Sequence, residues 1–432
     1  MHVDLGNTLA SVADPGIARE SLDRLDRQIA TAHDRIDRGR ADNEFGYTAL
    51  NLPDRTDPAT IRAAAESFPE ETIDTVLVVG IGGSALGAVT LHRALETTAD
   101  LYALDNIDPA HTNTLLERLD LERTVLNVVS RSGTTAETLA NFLVVREAMA
   151  QAGVDWTDRT LVTTGETGPL RTLVERHGLP SLRVPPNVPG RFAALSAVGL
   201  APVALAGGDI EAVLDGGADA AGTLSSSLFE CPAYAYGAIS EALARRGCRI
   251  NAMIPYAESL EPFAEWFAQL WAESLGKEGC GQTPARALGT TDQHSQLQLY
   301  RAGPRTTQVT FLRPRSRQPC SIPETEMEDL AYLSGGDLGE LMDAEFEATE
   351  ASLAAAGRPN VRLEIDAVTA HAMGELLYAM EAACILAGEL MGINPFDQPA
   401  VEWGKRATRQ LLSERSGPAA ETVGEKTTLS ID

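Results

Sequence analysis

The stretch TVLVVGIGGSALGAV, Thr75 to Val89, constrains the fold more than any other part of the chain. Its apolar, β-branched opening reads as a buried strand, and the small apolar residues beyond Ser84 read as a helix. Gly80-Ile81-Gly82-Gly83-Ser84 joins the two. Units of this kind, repeated, build a parallel sheet with helices on both faces, and the chain is therefore expected to be α/β. Glycines let the backbone approach an anion, and a helix N-terminus favours negative charge. The spacing stops short of GxGxxG, with Ala85 where the last glycine would stand, so the turn alone leaves a nucleotide or a tight unliganded turn open.

The alternation continues along the chain. Strands are expected at LYALD (101–105), TVLNVVS (124–130), TLVTTG (160–165) and LRVPP (182–186), with helices between them such as AETLANFLVVREAMAQAG. The second half repeats the pattern, with strands at CRINAMIPY (248–256) and TTQVTFLRP (306–314). Helices are expected there at SLEPFAEWFAQLWAES and AHAMGELLYAMEAACILAGELMG. Residues 1–45 read as a helical N-terminal segment, in which Leu22, Leu25, Ile29 and Ile36 recur at helical spacing. The Gly- and Asp-rich stretch 206–222 reads as a linker between a first domain (46–205) and a second (223–406). Residues 407–432 read as a C-terminal helix and a polar, frayed tail.

Charge limits the partners. Acidic residues outnumber basic ones 61 to 35, and the net charge is −26. Such a surface repels nucleic acid. Only Lys277, Lys405 and Lys426 are lysines, and an acidic, lysine-poor coat fits a cytoplasmic protein adapted to concentrated salt, where self-repulsion is screened. No run of 18 apolar residues suggests a membrane span, and the N-terminus lacks the basic start and apolar core of a secretory signal. The five scattered cysteines read as reduced thiols rather than a zinc site.

A second loop sharpens the first. After TVLNVVS come Ser130-Arg131-Ser132-Gly133-Thr134-Thr135 and then a helix. One helix cap needs one hydroxyl, whereas Ser130, Ser132, Thr134 and Thr135 supply four within six residues. Hydroxyls and free N–H groups at a helix start form a cradle for a phosphomonoester, which a dinucleotide site would not need.

The pair GIGGSALG and SRSGTTAET is similar to a sugar isomerase domain. NVPGRFAALSAVGLAP (187–202) and NPFDQPAVEWGKR (394–406) resemble the two signatures of the phosphoglucose isomerase family. GTTDQHSQLQ (289–298) resembles the His-bearing segment of its shorter bacterial and archaeal members. The resemblance spans residues 45–406. It implies two flavodoxin-like sugar isomerase (SIS) domains with parallel sheets flanked by helices, the active site between them, and a homodimer. The implied reaction is reversible isomerisation of glucose 6-phosphate and fructose 6-phosphate through a cis-enediolate, in glycolysis and gluconeogenesis, with no cofactor or metal. A bifunctional phosphoglucose/phosphomannose isomerase would share these residues. A non-enzymatic sugar-phosphate regulator would keep the cradle alone.

Gly83, Ser84, Ser130, Arg131, Ser132 and Thr135 match positions around the substrate phosphate, with Arg131 where many members have lysine. Glu137 matches a family glutamate, and is equally a first-turn acid on the helix dipole. Arg191, after Pro189-Gly190, matches the arginine placed over the reacting carbons, where a permanent cation stabilises an enediolate. Glu273, in WAESLGK, shares a helix flank with Trp266 and Leu270, and matches the carboxylate that moves the proton. Longer members carry a glutamate shortly before the His-bearing Gly-Thr, where this chain has Ala287. Glu278 is the rival for the base, and its place beside Lys277 and Gly279 reads as a surface helix end. His294 matches the proton shuttle for ring opening, for which imidazole titrates in the right range. Lys405, retained beside Arg406, matches a lysine that opens the ring and positions substrate.

Overall fold

Strands β2 (Thr75–Val79), β3 (Asp100–Leu104), β4 (Thr124–Ser130), β5 (Thr160–Thr164) and β6 (Ser181–Arg183) form one sheet in the order β3-β2-β4-β5-β6. Every pairing is parallel. Every residue of β2, β4 and β5 is buried, as expected of strands covered on both faces, whereas edge strand β3 alternates in exposure. Leu77, Val79, Leu126 and Val128 pack with Phe142, Val145 and Met149 of the Ala136–Gln151 helix. The structure, a computed structural model, describes residues 1–413 and 427–431. Most of the expected polar tail, Lys426 included, lies outside the described residues.

The second sheet contains β1 (His2–Asp4), β7 (Ile250–Pro255), β8 (Thr283–Arg286), β9 (Thr307–Pro314) and β10 (Asn360–Ile365), in the order β1-β10-β9-β7-β8. Its last four strands are parallel. The fifth corrects two expectations. The N-terminal segment is not helical throughout, because its first residues pair antiparallel with β10, and the second sheet is consequently mixed. The expected helix follows as Leu22–Ala41, with Leu25, Ile29 and Ile36 buried on one stripe.

The stretch 206–222, read as a linker, is largely helical. Ile210–Gly222 is a helix packed closely on the long, largely buried Ala370–Met391 helix. Its glycines serve that approach: a Cβ on Gly216 would stand 1.8 Å from the His371 carbonyl oxygen, and one on Gly374 would stand 1.8 Å from that of Val213.

Two compact units are present, Met1–Pro395 and Phe396–Asp432, and both sheets belong to the first. In the second, the helix expected from 407 begins earlier, as Pro399–Ser413, with proline in the first position that tolerates it.

Candidate active site

β2 and β4 are neighbours, but the chain leaves β2 for β3 on one side and returns to β4 on the other. That reversal is the topological switch point, where a doubly wound sheet opens a crevice beyond the carboxyl ends of its strands. The two loops singled out by sequence leave from these ends, Gly80–Ser84 after β2 and Arg131–Thr135 after β4. They adjoin directly: a Cβ on Gly80 would lie 3.2 Å from the Val129 carbonyl oxygen.

In the second loop, Ser130 Oγ and Thr135 Oγ1 are 2.9 Å apart. Ser132 Oγ accepts from the Thr134 N–H at 3.2 Å and from the Thr134 hydroxyl at 3.0 Å. None of these hydroxyls caps the Ala136–Gln151 helix: Thr135 occupies the N-cap position without a side-chain bond to the first turn. First-turn N–H groups therefore face the loop without a side-chain acceptor, the arrangement that suits an external anion. Glu137 lies in that first turn and is half-buried. Arg131 is exposed and turns to the main chain, donating Nη1–H to the Val188 carbonyl at 3.1 Å. It thereby ties the cradle to the loop that carries Arg191.

The first loop meets that loop too. Gly82–Ser84 is a short 3₁₀ turn packed on another, Gly190–Phe192. A Cβ on Gly83 would stand 2.4 Å from the Gly190 carbonyl group, so glycine is required for this contact. Arg191 is 3% exposed. Its Nε donates to Ser274 Oγ at 2.7 Å, its Nη2 donates to the Pro395 carbonyl at 2.6 Å, and its Nη1 lies 3.4 Å from Glu273 Oε1. The Glu273 side chain keeps 23% of its exposure. A buried cation facing a partly open carboxylate can stabilise developing negative charge while the carboxylate moves a proton.

The Glu261–Leu275 helix positions Glu273. Its buried face carries Phe263, Trp266, Phe267, Leu270, Trp271 and Ser274, and it packs on the Leu86–Ala94 helix that follows the first cradle turn. Glu278 lies beyond its end, exposed and in the left-handed region at φ 53°.

Sequence reasoning missed Gln269 in this setting. Its Nε2 donates to Glu273 Oε2 at 3.2 Å, and a Cβ on Gly82 would fall 2.6 Å from that same nitrogen. The i, i+4 spacing to Glu273 was the available signal.

His294 and Lys405 take no part in the contacts just described. His294 is exposed in the first turn of the Thr291–Ala302 helix. Lys405 lies in the second unit, on the Pro399–Ser413 helix, where Nζ donates to Glu402 Oε1 at 2.8 Å. A cavity of about 740 Å³ lies elsewhere, between β6 and the Pro58–Ala65 helix, and contains none of the predicted residues. Thr48, Thr56 and Asp57 in its lining make internal bonds. No helix among the described residues is long and apolar enough to cross a membrane.

The phosphoglucose isomerase family model matches residues 61–430. The chain is 63% identical over 432 residues to a probable glucose-6-phosphate isomerase of Natronomonas pharaonis, with 100% of both chains covered. It is 60% identical over 432 residues to a probable glucose-6-phosphate isomerase of Haloarcula marismortui, covering 100% of this chain and 99% of that one. Among solved structures it is similar to a hypothetical protein of Thermus thermophilus, with a TM-score of 0.87, 35% identity, and 95% and 99% of the two chains covered. A glucose-6-phosphate isomerase from Chlamydia trachomatis shares the fold, with a TM-score of 0.80 at 22% identity, over 93% of this chain and 87% of that one. With a family model spanning most of the chain and relatives alike over its whole length, the chain belongs to the phosphoglucose isomerase family.

Proposed function

We propose that this protein interconverts glucose 6-phosphate and fructose 6-phosphate. The observation that carries the proposal is one set of contacts at the switch point. The Gly83 turn packs on Gly190–Arg191, and Arg191 Nη1 lies 3.4 Å from Glu273 Oε1 beside a hydroxyl-lined cradle. The 6-phosphate binds at Ser84, Ser130, Ser132 and Thr135, with Arg131 as the nearby cation. Anchoring that end orients the other. His294 and Lys405, assigned through the family resemblance, open the ring.

The Glu273 carboxylate then takes the proton from C2. The electron pair forms the C1–C2 double bond, and the charge appears on the oxygens of a cis-enediolate, which Arg191 stabilises. A proton passes from O2 to O1. Return of the Glu273 proton to C1 leaves a carbonyl at C2, with no net oxidation.

Incubating the protein with fructose 6-phosphate in heavy water tests this. Glucose 6-phosphate carrying deuterium at C2 is expected, and absence of any conversion would refute the reading. Comparable turnover of mannose 6-phosphate would broaden it to a bifunctional enzyme.

The family resemblance supports a homodimer in the cytoplasm, acting in glycolysis and gluconeogenesis, with sugar isomerase domains at 46–205 and 223–406. The net charge of −26, the scarcity of lysine and relatives from Natronomonas and Haloarcula support adaptation to concentrated salt.

A further inference from the structure

The proposed reaction needs Arg191 held in one orientation, and the structure supplies buried hydrogen bonds that do so. Arg191 Nε donates to Ser274 Oγ at 2.7 Å, with Ser274 fully buried. The guanidinium has donors only, so in this bond the Ser274 oxygen accepts. One turn earlier on the same helix, the Leu270 carbonyl accepts from the Cys384 thiol of the Ala370–Met391 helix at 3.6 Å, which ties the two helices together beside Ser274.

The Pro395 carbonyl accepts from Nη2 at 2.6 Å, and Nη1 lies 3.4 Å from Glu273 Oε1. Glu273 and Ser274 are consecutive residues on one helix, so the group that carries the proton and the group that aligns the cation move together.

We propose that Ser274 is a positioning residue for Arg191. It fixes the guanidinium so that its Nη1 edge meets the enediolate oxygens rather than the ground-state sugar. The inference rests on the isomerase reading above. Held at two edges, the cation loses little freedom when the enediolate forms, which is how preorganised charge lowers a barrier.

Ser274→Ala tests it, with fructose 6-phosphate as substrate and two inhibitors as probes. One inhibitor is a five-carbon hydroxamate with a terminal phosphate, a mimic of the enediolate. The other is a hexitol 6-phosphate, which has no enediolate group. A fall in kcat of about 10- to 100-fold is expected. KM should stay within about threefold, the signature of an interaction realised in the transition state. The hydroxamate should lose affinity by the same factor as kcat, and the hexitol phosphate should not. Wild-type kcat in S274A, a loss confined to KM, or equal weakening of both inhibitors would overturn the proposal.

Should S274A not fold, Ser274→Gly decides, because it removes the hydroxyl and adds no atom. The same split between the two inhibitors is expected, and equal weakening of both would count against the proposal. A wild-type protein that fails to isomerise at all would instead remove the proposed reaction, and this inference with it.

Discussion

Replacing Gly83 by alanine puts one methyl group where two loops of the site already touch. Its Cβ would lie 2.4 Å from the carbonyl carbon and oxygen of Gly190 and 2.7 Å from the Arg191 nitrogen. These are main-chain atoms, so no flexible side chain can swing away. Restoring ordinary contact requires the loops to part by about 1 Å. Overpacking of this kind costs about 1–3 kcal/mol. With an unfolding entropy of about 2.1 cal/mol/K per residue over the Met1–Pro395 unit, Tm should fall by about 1–4 °C. Catalysis should suffer more. Parting the loops moves Arg191 away from the proposed phosphate cradle, and a 1 Å misplacement costs about 10²-fold in rate.

Gly190→Ala provides the contrast from the other side of the same contact. A Cβ there meets nothing within 4 Å, so its Tm should hold or rise slightly. Thermal melts and steady-state kinetics on the two variants read both effects. A G83A protein with wild-type kcat/KM and wild-type Tm would refute the claim that this contact aligns the site.

Three further outcomes are expected. Glu273→Gln should lower kcat by about 10²–10⁴-fold at little change in KM, whereas Glu278→Gln should leave both unchanged; the reverse pattern in steady-state kinetics would transfer the base to Glu278. Glu381 is fully buried on the Ala370–Met391 helix with neither carboxyl oxygen partnered, and burial raises it well above the usual carboxylate range. The neutral form therefore carries the stability, which is present below the ordinary carboxylate pKa and lost as pH rises through the folded value. Glu381→Met should stabilise the protein by about 1–3 kcal/mol and flatten that pH dependence; a lower Tm near neutral pH would contradict it. Finally, a net charge of −26 should make the melt sensitive to salt. Going from molar salt to 0.1 M lengthens the screening distance from about 3 Å to about 10 Å, and Tm should drop, whereas an unchanged Tm would remove the salt-adapted reading.

What the sequence disclosed depended on how local each signal was. β2 and β4 were legible because strands buried on both faces must be apolar throughout, and TVLVV and TVLNVVS are nearly so. β10 was not, because NVRLEI carries charge. Glu364 is tolerated there by Arg313 Nε at 2.9 Å and Arg315 Nη2 at 3.0 Å, partners that no local window can see. β8 contains a proline and lies at a sheet edge, and β1 is three residues long.

The helix within 206–222 was not legible for a related reason. The glycines read as a linker are the small residues a close helix crossing requires. At the site, glycine spacing and clustered hydroxyls disclosed the two loops. Gln269, Ser274 and Pro395 acquire their importance only from contacts with Glu273 and Arg191 that folding creates.

The central claim is that the strand-end loops grip a phosphate while Arg191 and Glu273 work on the far end of the same sugar. A crystal structure with the phosphorylated five-carbon hydroxamate bound tests it most directly. The phosphoryl oxygens are expected within hydrogen-bond distance of Ser130, Ser132 and Thr135, with the hydroxamate against Arg191 Nη1 and the Glu273 carboxylate. A phosphoryl group bound away from residues 130–135, or a hydroxamate out of reach of both Arg191 and Glu273, would contradict it.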